Sequence, residues 1–416
     1  MAFSHRFLYF VGYVGAIYIA SMPKALAPPA GGHIILERSL WCVFLLTSFV
    51  ECAIIIKNYQ ALGDIMSEIK FLAFADFHYK KRMYATKVSD FEDILSRAKN
   101  EGASLVVHEG DFCNDYCHSP ELISKYLGAD LPVFGVYGNH ELETVGNTMQ
   151  FVTPRLTNRP EEVIFGTADG KIGNGDVGYY YYDTGDFRFV FLDTNYSLSA
   201  DKEYYEHNRE ASHTCPPENS LSDSIGANQL AWLDRALTDA AQKGKHCIVN
   251  AHATFSGNFN SSPDHEAVRA LYKKANWLRP KTVLMSINGH YHTSRAQSID
   301  GVFYLDLNTA INGWWQFEKF HPYAENDPEN PVYTFEFTDY DENGAPIETV
   351  NMPFSRLRMG AQTLFFEEPL SAVITVTSNG SITVKGKKTS WAYGKTSPNF
   401  YDGVMPEIPD FSFDAE

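Results

Sequence analysis

Five short blocks carry residue types that hold metal ions, and they recur in order along the chain. Asp76-Phe77-His78 comes first, then Gly110-Asp111, Gly138-Asn139-His140-Glu141, His252 and Gly289-His290-Tyr291-His292. Carboxylate, imidazole and amide oxygen, with no thiolate among them, suit borderline divalent or trivalent cations such as Zn, Mn, Fe or Co. Asp-x-His and His-x-His would place two side chains on one side of an extended chain, because side-chain direction repeats every second residue. Asp111 can offer one carboxylate oxygen to each of two ions. Glycines before Asp111, Asn139 and His290 permit tight turns and close backbone approach. Any one block alone is a common pattern; their joint occurrence in order is not.

The elements that must position these blocks are short apolar runs. Residues 71–75, 105–107, 132–136, 247–250 and 282–287 read as strands, rich in β-branched or aromatic residues. Each is followed by one of the blocks, so five strands deliver polar side chains at their carboxyl ends, where open α/β sheets place their sites. Amphipathic helices are expected between them. Residues 89–100 open on a capping box, Ser89 and Glu92, and carry Phe91, Ile94, Leu95 and Ala98 on one face. Residues 229–243 and 265–277 read as further helices. Residues 179–193 read as a hairpin through Asp183-Thr184-Gly185-Asp186, and the chain turns β-rich after Gly301, with Asn343-Gly344 and Asn379-Gly380 as hairpin signals. The class is α/β.

Composition narrows the partners. The chain has 416 residues, 44% apolar and 20% charged, and a net charge of −17. That acidity argues against binding duplex nucleic acid, which calls for a basic face. Small phosphates remain accessible if bound cations reverse the local field. Cys42, Cys52, Cys113, Cys117, Cys215 and Cys247 are too sparse for a disulfide scaffold; buried or incidental thiols are expected, with a Cys113–Cys117 bridge or ligand role as the alternative. Residues 1–65 stand apart. Residues 7–20 follow Arg6 as an apolar run with Ala25-Leu26-Ala27 behind it, and residues 40–56 form a second run carrying Glu51. Three readings are open: a start assigned upstream of a true start at Met66, a membrane anchor, or a cleaved signal.

In this order the blocks resemble the calcineurin-like metallophosphoesterase superfamily, whose pattern runs D-x-H, G-D, G-N-H-[ED], H and G-H-x-H. The resemblance covers roughly residues 68–340. It implies a four-layer α/β/β/α sandwich, placed at 66–350 between the hydrophobic segment 1–65 and the β-rich C-terminal extension 351–416 that the sequence pattern marks off. It implies two metal ions, Mn, Fe, Zn or Co: Asp76, His78 and His292 on the first, Asn139, His252 and His290 on the second, and Asp111 bridging. His140 resembles the family histidine that approaches the phosphoryl group and leaving oxygen, and Glu141 would either orient it or cap the turn. The chain departs from the purple acid phosphatases, with His78 where they have glycine and Asn114 where they have a tyrosine ligand, and lies closer to the cyclic-nucleotide and glycerophosphodiester phosphodiesterases.

The resemblance therefore implies a hydrolase of phosphate esters, with phosphodiesters favoured, acting by in-line attack of a hydroxide that bridges the metals. A phosphomonoesterase is the alternative. A scaffold that has lost catalysis is disfavoured because every ligand position is filled. The expected partner is a small phosphate ester, with a membrane involved only if residues 1–65 belong to the natural chain. A start at Met66 would make the protein cytoplasmic; otherwise it would be anchored or secreted. His108, His118, His207, His213, His246, His265 and His321 lack a strand-end context and read as structural or surface residues. The aromatic stretches 204–207 and 314–317 read as pocket-shaping or as core packing and loop closure, and Arg295 as a phosphate contact or a surface ion pair, the latter favoured.

Overall fold

Strand β1 (Glu68–Phe74) is apolar on both faces, and Phe71, Leu72, Ala73 and Phe74 are all fully buried, which suits a strand covered on two sides. The computed structural model describes residues 66–80, 86–142, 146–166, 177–198, 205–207, 223–258, 261–311, 334–340, 346–353, 366–390 and 406–415. The chain divides into two units, Met1–Ile65 and Met66–Glu416. The first lies outside the described residues, with the three readings of its sequence, and so does the stretch 314–317. Among the described residues no helix is long and apolar enough to cross a membrane.

Beside β1, β2 (Leu105–His108) and β3 (Val133–Gly135) run parallel to it and to each other. Helices α1 (Val88–Asn100) and α2 (Pro120–Leu127) make the crossovers. α1 buries Phe91, Ile94 and Ala98, three and four residues apart, which is one face of a helix. It starts one residue earlier than expected, and its cap differs from the Ser89–Glu92 box. The Asp90 carboxylate accepts the Lys87 backbone N–H at 2.7 Å, so the cap sits two residues upstream of the expected one.

A second sheet faces the first. It contains β4 (Val163–Phe165), β5 (Tyr180–Thr184) and β6 (Phe187–Phe191), then, after α3 (Gly226–Lys243), β7 (His246–Ala251). After α4 (His265–Leu278) come β8 (Val283–Asn288), β9 (Arg295–Ile299) and β10 (Val302–Asp306). Their order is β9-β10-β8-β7-β6-β5-β4, with β6, β7, β8 and β10 parallel. Strand alternation divides the core. Phe187, Phe189, Phe191, Ile248, Phe303 and Leu305 point at the first sheet, where Phe71 meets Phe189 edge-on at 5.1 Å. Val190, Val249, Val302 and Tyr304 point the other way, onto Trp232 and Leu233 of α3 and Tyr272 of α4. α1 and α2 cover the far face of the first sheet. The layers are helices, sheet, sheet, helices, the α/β/β/α sandwich expected.

The C-terminal region is β-rich as expected, and its strands complete the first sheet. β11 (Ala372–Thr377) pairs antiparallel with β1, from Glu68 opposite Thr377 to Ala73 opposite Ala372. β12 (Ser381–Lys385) and β13 (Phe411–Asp414) extend the sheet outward. Asn379-Gly380 forms the β11–β12 turn, where Gly380 takes a φ of 91° that side chains resist. The strands Thr334–Tyr340 and Pro346–Pro353 pair as a hairpin around the position of Asn343-Gly344, which is itself outside the described residues.

Because Phe71 joins β1 to the opposing sheet, Phe71→Ala should lower unfolding free energy by about 3–5 kcal/mol, read by urea titration of the full chain. A loss under about 1 kcal/mol would mean that the contact between sheets does not depend on this ring.

Candidate metal centre

The parallel strands of both sheets end on the same side, and the five blocks meet there. Ala75 pairs with Thr309 in an isolated bridge, and the Asp76 N–H donates to the Gly110 carbonyl at 3.1 Å. The sheets are tied across the gap by His252, whose Nδ1 lies 2.7 Å from the Glu109 carbonyl. That contact assigns the Nδ1 proton and leaves Nε2 facing inward. His78 is fixed in the same way, with Nδ1 3.2 Å from the Asn114 side-chain oxygen.

Inward-facing atoms then crowd around Asp111. Its Oδ2 lies 3.2 Å from His252 Nε2 and 3.7 Å from His78 Nε2, while its Oδ1 accepts the His140 backbone N–H at 2.8 Å. On one side, His292 Nε2 sits 3.2 Å from both His78 Nε2 and Asp76 Oδ1. On the other, His252 Nε2 is 3.0 Å from Asn139 Oδ1 and 3.1 Å from His290 Nδ1. Asp76, His78 and His292 thus form one ligand-competent group, and Asp111, His252 and His290 a second, with Asn139 beside it; His140 also clusters with His78 and Asp111 between them. The structure brings all seven residues expected as ligands together, with His140 at the edge: its ring meets His78 edge-on at 5.0 Å and its Nε2 is 4.0 Å from Asp111 Oδ2. Asn139, His140 and His290 are partly exposed, which marks the open side.

The donor set fits cations. With its Nδ1 proton engaged, the His78 Nε2 lone pair faces the His292 ring nitrogen and the carboxylates of Asp76 and Asp111. Buried carboxylates demand positive charge there. Burial works against ionising Asp111, but His252 and then His140 override it and hold the carboxyl well below its usual range. Burial likewise opposes a charge on His252, yet Asp111 pulls its pKa up to about 10. His78, where burial dominates, falls to about 3.

Backbone strain concentrates at the same residues. Asp76, His78, Asp111, His290 and His292 all have positive φ, between 49° and 68°. The paired side chains of Asp-x-His and His-x-His therefore do not converge by strand alternation, as expected from sequence. They lie beyond the ends of β1 and β8, where left-handed kinks turn the side chains inward, at about 1–3 kcal/mol per residue. The glycines act through close packing. A side chain at Gly110 would come within 2.5 Å of His252 Nδ1, one at Gly289 within 2.8 Å of Asp76 Oδ2, and one at Gly138 would strike the Asp111 carboxylate.

Glu141 resolves into a clamp on the turns. Its buried carboxylate accepts N–H groups from Gly138 and Phe112 at 2.6 Å each and from Asp111 at 3.0 Å, locking the second and third ligand loops together. Burial, reinforced by Asp111, pushes its carboxyl up to about 7 against those hydrogen bonds. Asn114 and Glu141 were visible in the motifs, but not as second partners of the ligands. Asp223 was not visible at all: its Oδ2 lies 3.7 Å from His290 Nε2, and it follows residues 208–222, which carry no motif. Cys113 and Cys117 are both free thiols. Arg295 sits over the Tyr291 ring at 4.8 Å.

Residues 69–294 match the family model described as calcineurin-like phosphoesterase. The chain belongs to that family. Its members hydrolyse phosphate esters, so this protein is a metallophosphoesterase, a hydrolase acting on ester bonds. No curated protein matches the chain. Among solved structures it is similar to a dimetal phosphatase from Danio rerio, at 16% identity, covering 84% of this chain and 99% of that one, with a TM-score of 0.48. It is also similar to the anchor protein of the Plasmodium inner membrane complex, at 14% identity over 84% and 89%, TM-score 0.41. A third likeness is to an archaeal phosphodiesterase, at 11% identity over 68% and 99%, TM-score 0.27. These scores are too low to bear on mechanism, and membership rests on the sequence match.

Because two of its shortest hydrogen bonds hold separate ligand loops, Glu141→Gln should weaken metal binding and lower stability by about 1.5–3 kcal/mol. Metal titration calorimetry and denaturant melts check this; unchanged affinity would remove Glu141 from the account of the site.

Proposed function

We propose that this phosphoesterase cleaves small phosphodiesters at a two-metal centre made of Asp76, His78, Asp111, Asn139, His252, His290 and His292. The observation that carries the two-metal reading is the position of Asp111 Oδ2, within 3.7 Å of imidazole nitrogens from both donor groups. Asp76, His78 and His292 would hold one ion, Asn139, His252 and His290 the other, and Asp111 would touch both. A bound pair of divalent ions supplies Lewis acidity toward water and toward the phosphoryl oxygens.

The chain's own residues do the rest. The Glu109 carbonyl and the Asn114 side chain engage the outer nitrogens of His252 and His78, which turns the inner nitrogens toward the donor cluster. His140 lies beside the two donor groups, close enough to His78 and Asp111 to cluster with them, partly open to solvent, with its backbone N–H anchored on Asp111 Oδ1. From there its imidazole can pass a proton to a departing oxygen. The preference for diesters rests on the motif pattern, with His78 and Asn114 at the positions that set the chain apart from the purple acid phosphatases. The alkoxide of an ordinary alcohol is a strong base and gains most from protonation by His140. The Asn114–His78 contact supports divalent ions, since an amide stands where a tyrosinate ligand would be needed for a purple iron site.

Two results are expected. Activity on bis(p-nitrophenyl) phosphate should exceed that on p-nitrophenyl phosphate, vanish on chelation and return with Mn, Co, Zn or Fe; the reverse preference would make the protein a monoesterase. His140→Ala should retain both metals by elemental analysis yet lower kcat by about 10²–10⁴-fold for alkyl diesters, and less for nitrophenyl diesters. Equal losses on both substrates would exclude His140 as the proton donor.

A further inference from the structure

A second cluster of ligand types lies just past the metal centre, on a turn that the proposed reaction does not use. Asp115, Cys117 and His118 flank and form the short helical turn Tyr116–His118, held by the His118 N–H donating to the Asp115 carbonyl at 3.3 Å. Their side chains converge on one point. His118 Nδ1 is 2.9 Å from Asp115 Oδ1, Cys117 Sγ is 3.5 Å from the same oxygen, and Sγ and Nδ1 are 3.4 Å apart. Tetrahedral coordination at ordinary zinc bond lengths would separate such donors by about 3.3 Å for nitrogen and oxygen and about 3.6 Å for sulfur and either. The triangle matches to within a few tenths of an ångström on each edge.

Hydrogen bonds join the same three atoms, since the thiol and the Nδ1–H can both donate to Asp115 Oδ1. A cation at the centre would engage all three atoms. We infer that Asp115, Cys117 and His118 form a third metal site, selective for a thiophilic divalent ion of the zinc type. His118, expected from sequence to be a bland surface residue, is thereby a ligand. Its side chain is 68% exposed against 14% for Asp115, so the fourth position faces solvent and is open to water. Binding an ion there would displace the Cys117 thiol proton to solvent.

The site is wired to the catalytic loops. The Cys117 N–H donates to the Asn147 side-chain oxygen at 3.1 Å, and the Asn147 amide donates to the carbonyls of Glu141 and Asn114. An ion on the turn would clamp the loop that presents Asn114 to His78.

The seven-residue centre contains no thiolate, so sulfur gives this site its own signal. Co(II) is titrated into the full-length protein after its main centre has been loaded. A sulfur-to-cobalt charge-transfer band in the near ultraviolet should grow and saturate at one equivalent per chain. It should be absent in Cys117→Ser. In His118→Ala, whose truncation on the surface leaves folding intact, Co(II) affinity read from the same band should fall by about tenfold or more. No band in the wild type, an equal band in Cys117→Ser, or undiminished affinity in His118→Ala would each overturn the assignment.

Discussion

One carboxylate oxygen set between two groups of inward-facing donors is the constraint around which the site is arranged. Asp111 Oδ2 is reached by His78 from one side and His252 from the other, and those residues follow strands in different sheets. The two sheets must therefore meet with their carboxyl ends flush. The core between them sets that alignment, through contacts such as Phe71 on Phe189 and Phe134 on Phe191. Glu141 then fixes the loop carrying Asp111 against the loop carrying Asn139, and Gly110 and Gly138 leave no side chain in the gap.

Such an arrangement is energetically unfavourable without its surroundings. Five candidate ligands sit in left-handed backbone at about 1–3 kcal/mol each, and two carboxylates are buried close together. Hydrogen bonds hold these kinks in place. The Asp76 carboxylate accepts the His290 N–H, Thr309 donates to the Asp76 carbonyl, and the His78 N–H reaches the Asp111 carbonyl. The backbone thus cross-links the first, second and last blocks independently of any ion. Metal binding would relieve the charge, not build the site.

Much of this was legible in the sequence because chemistry-bearing residues cluster at strand ends. The strands follow from apolar runs and the convergence of Asp76, His78, Asp111, Asn139, His252, His290 and His292 from five short motifs, while the four layers followed only from the family resemblance that those motifs carry. The rest depended on contacts at long sequence separation. No local pattern pairs β1 with β11, some 300 residues away. Glu141 looked equally suited to orienting His140 or capping the turn until the N–H groups of residues 111 and 112 appeared beside it. The positive φ values ran against the extended-strand expectation, because tertiary hydrogen bonds outweighed local preference. Asp223 follows a stretch whose sequence carries no motif. His118 looked like an ordinary surface residue because its partners lie within its own turn, where spacing alone carries little information.

The central claim is that Asp111 joins two ions, and anomalous diffraction from crystals grown with Mn(II) or Zn(II) tests it most directly. Two peaks should flank Asp111, one contacted by Asp76, His78 and His292 and the other by Asn139, His252 and His290. A single peak, or two peaks that do not share Asp111, would contradict the account.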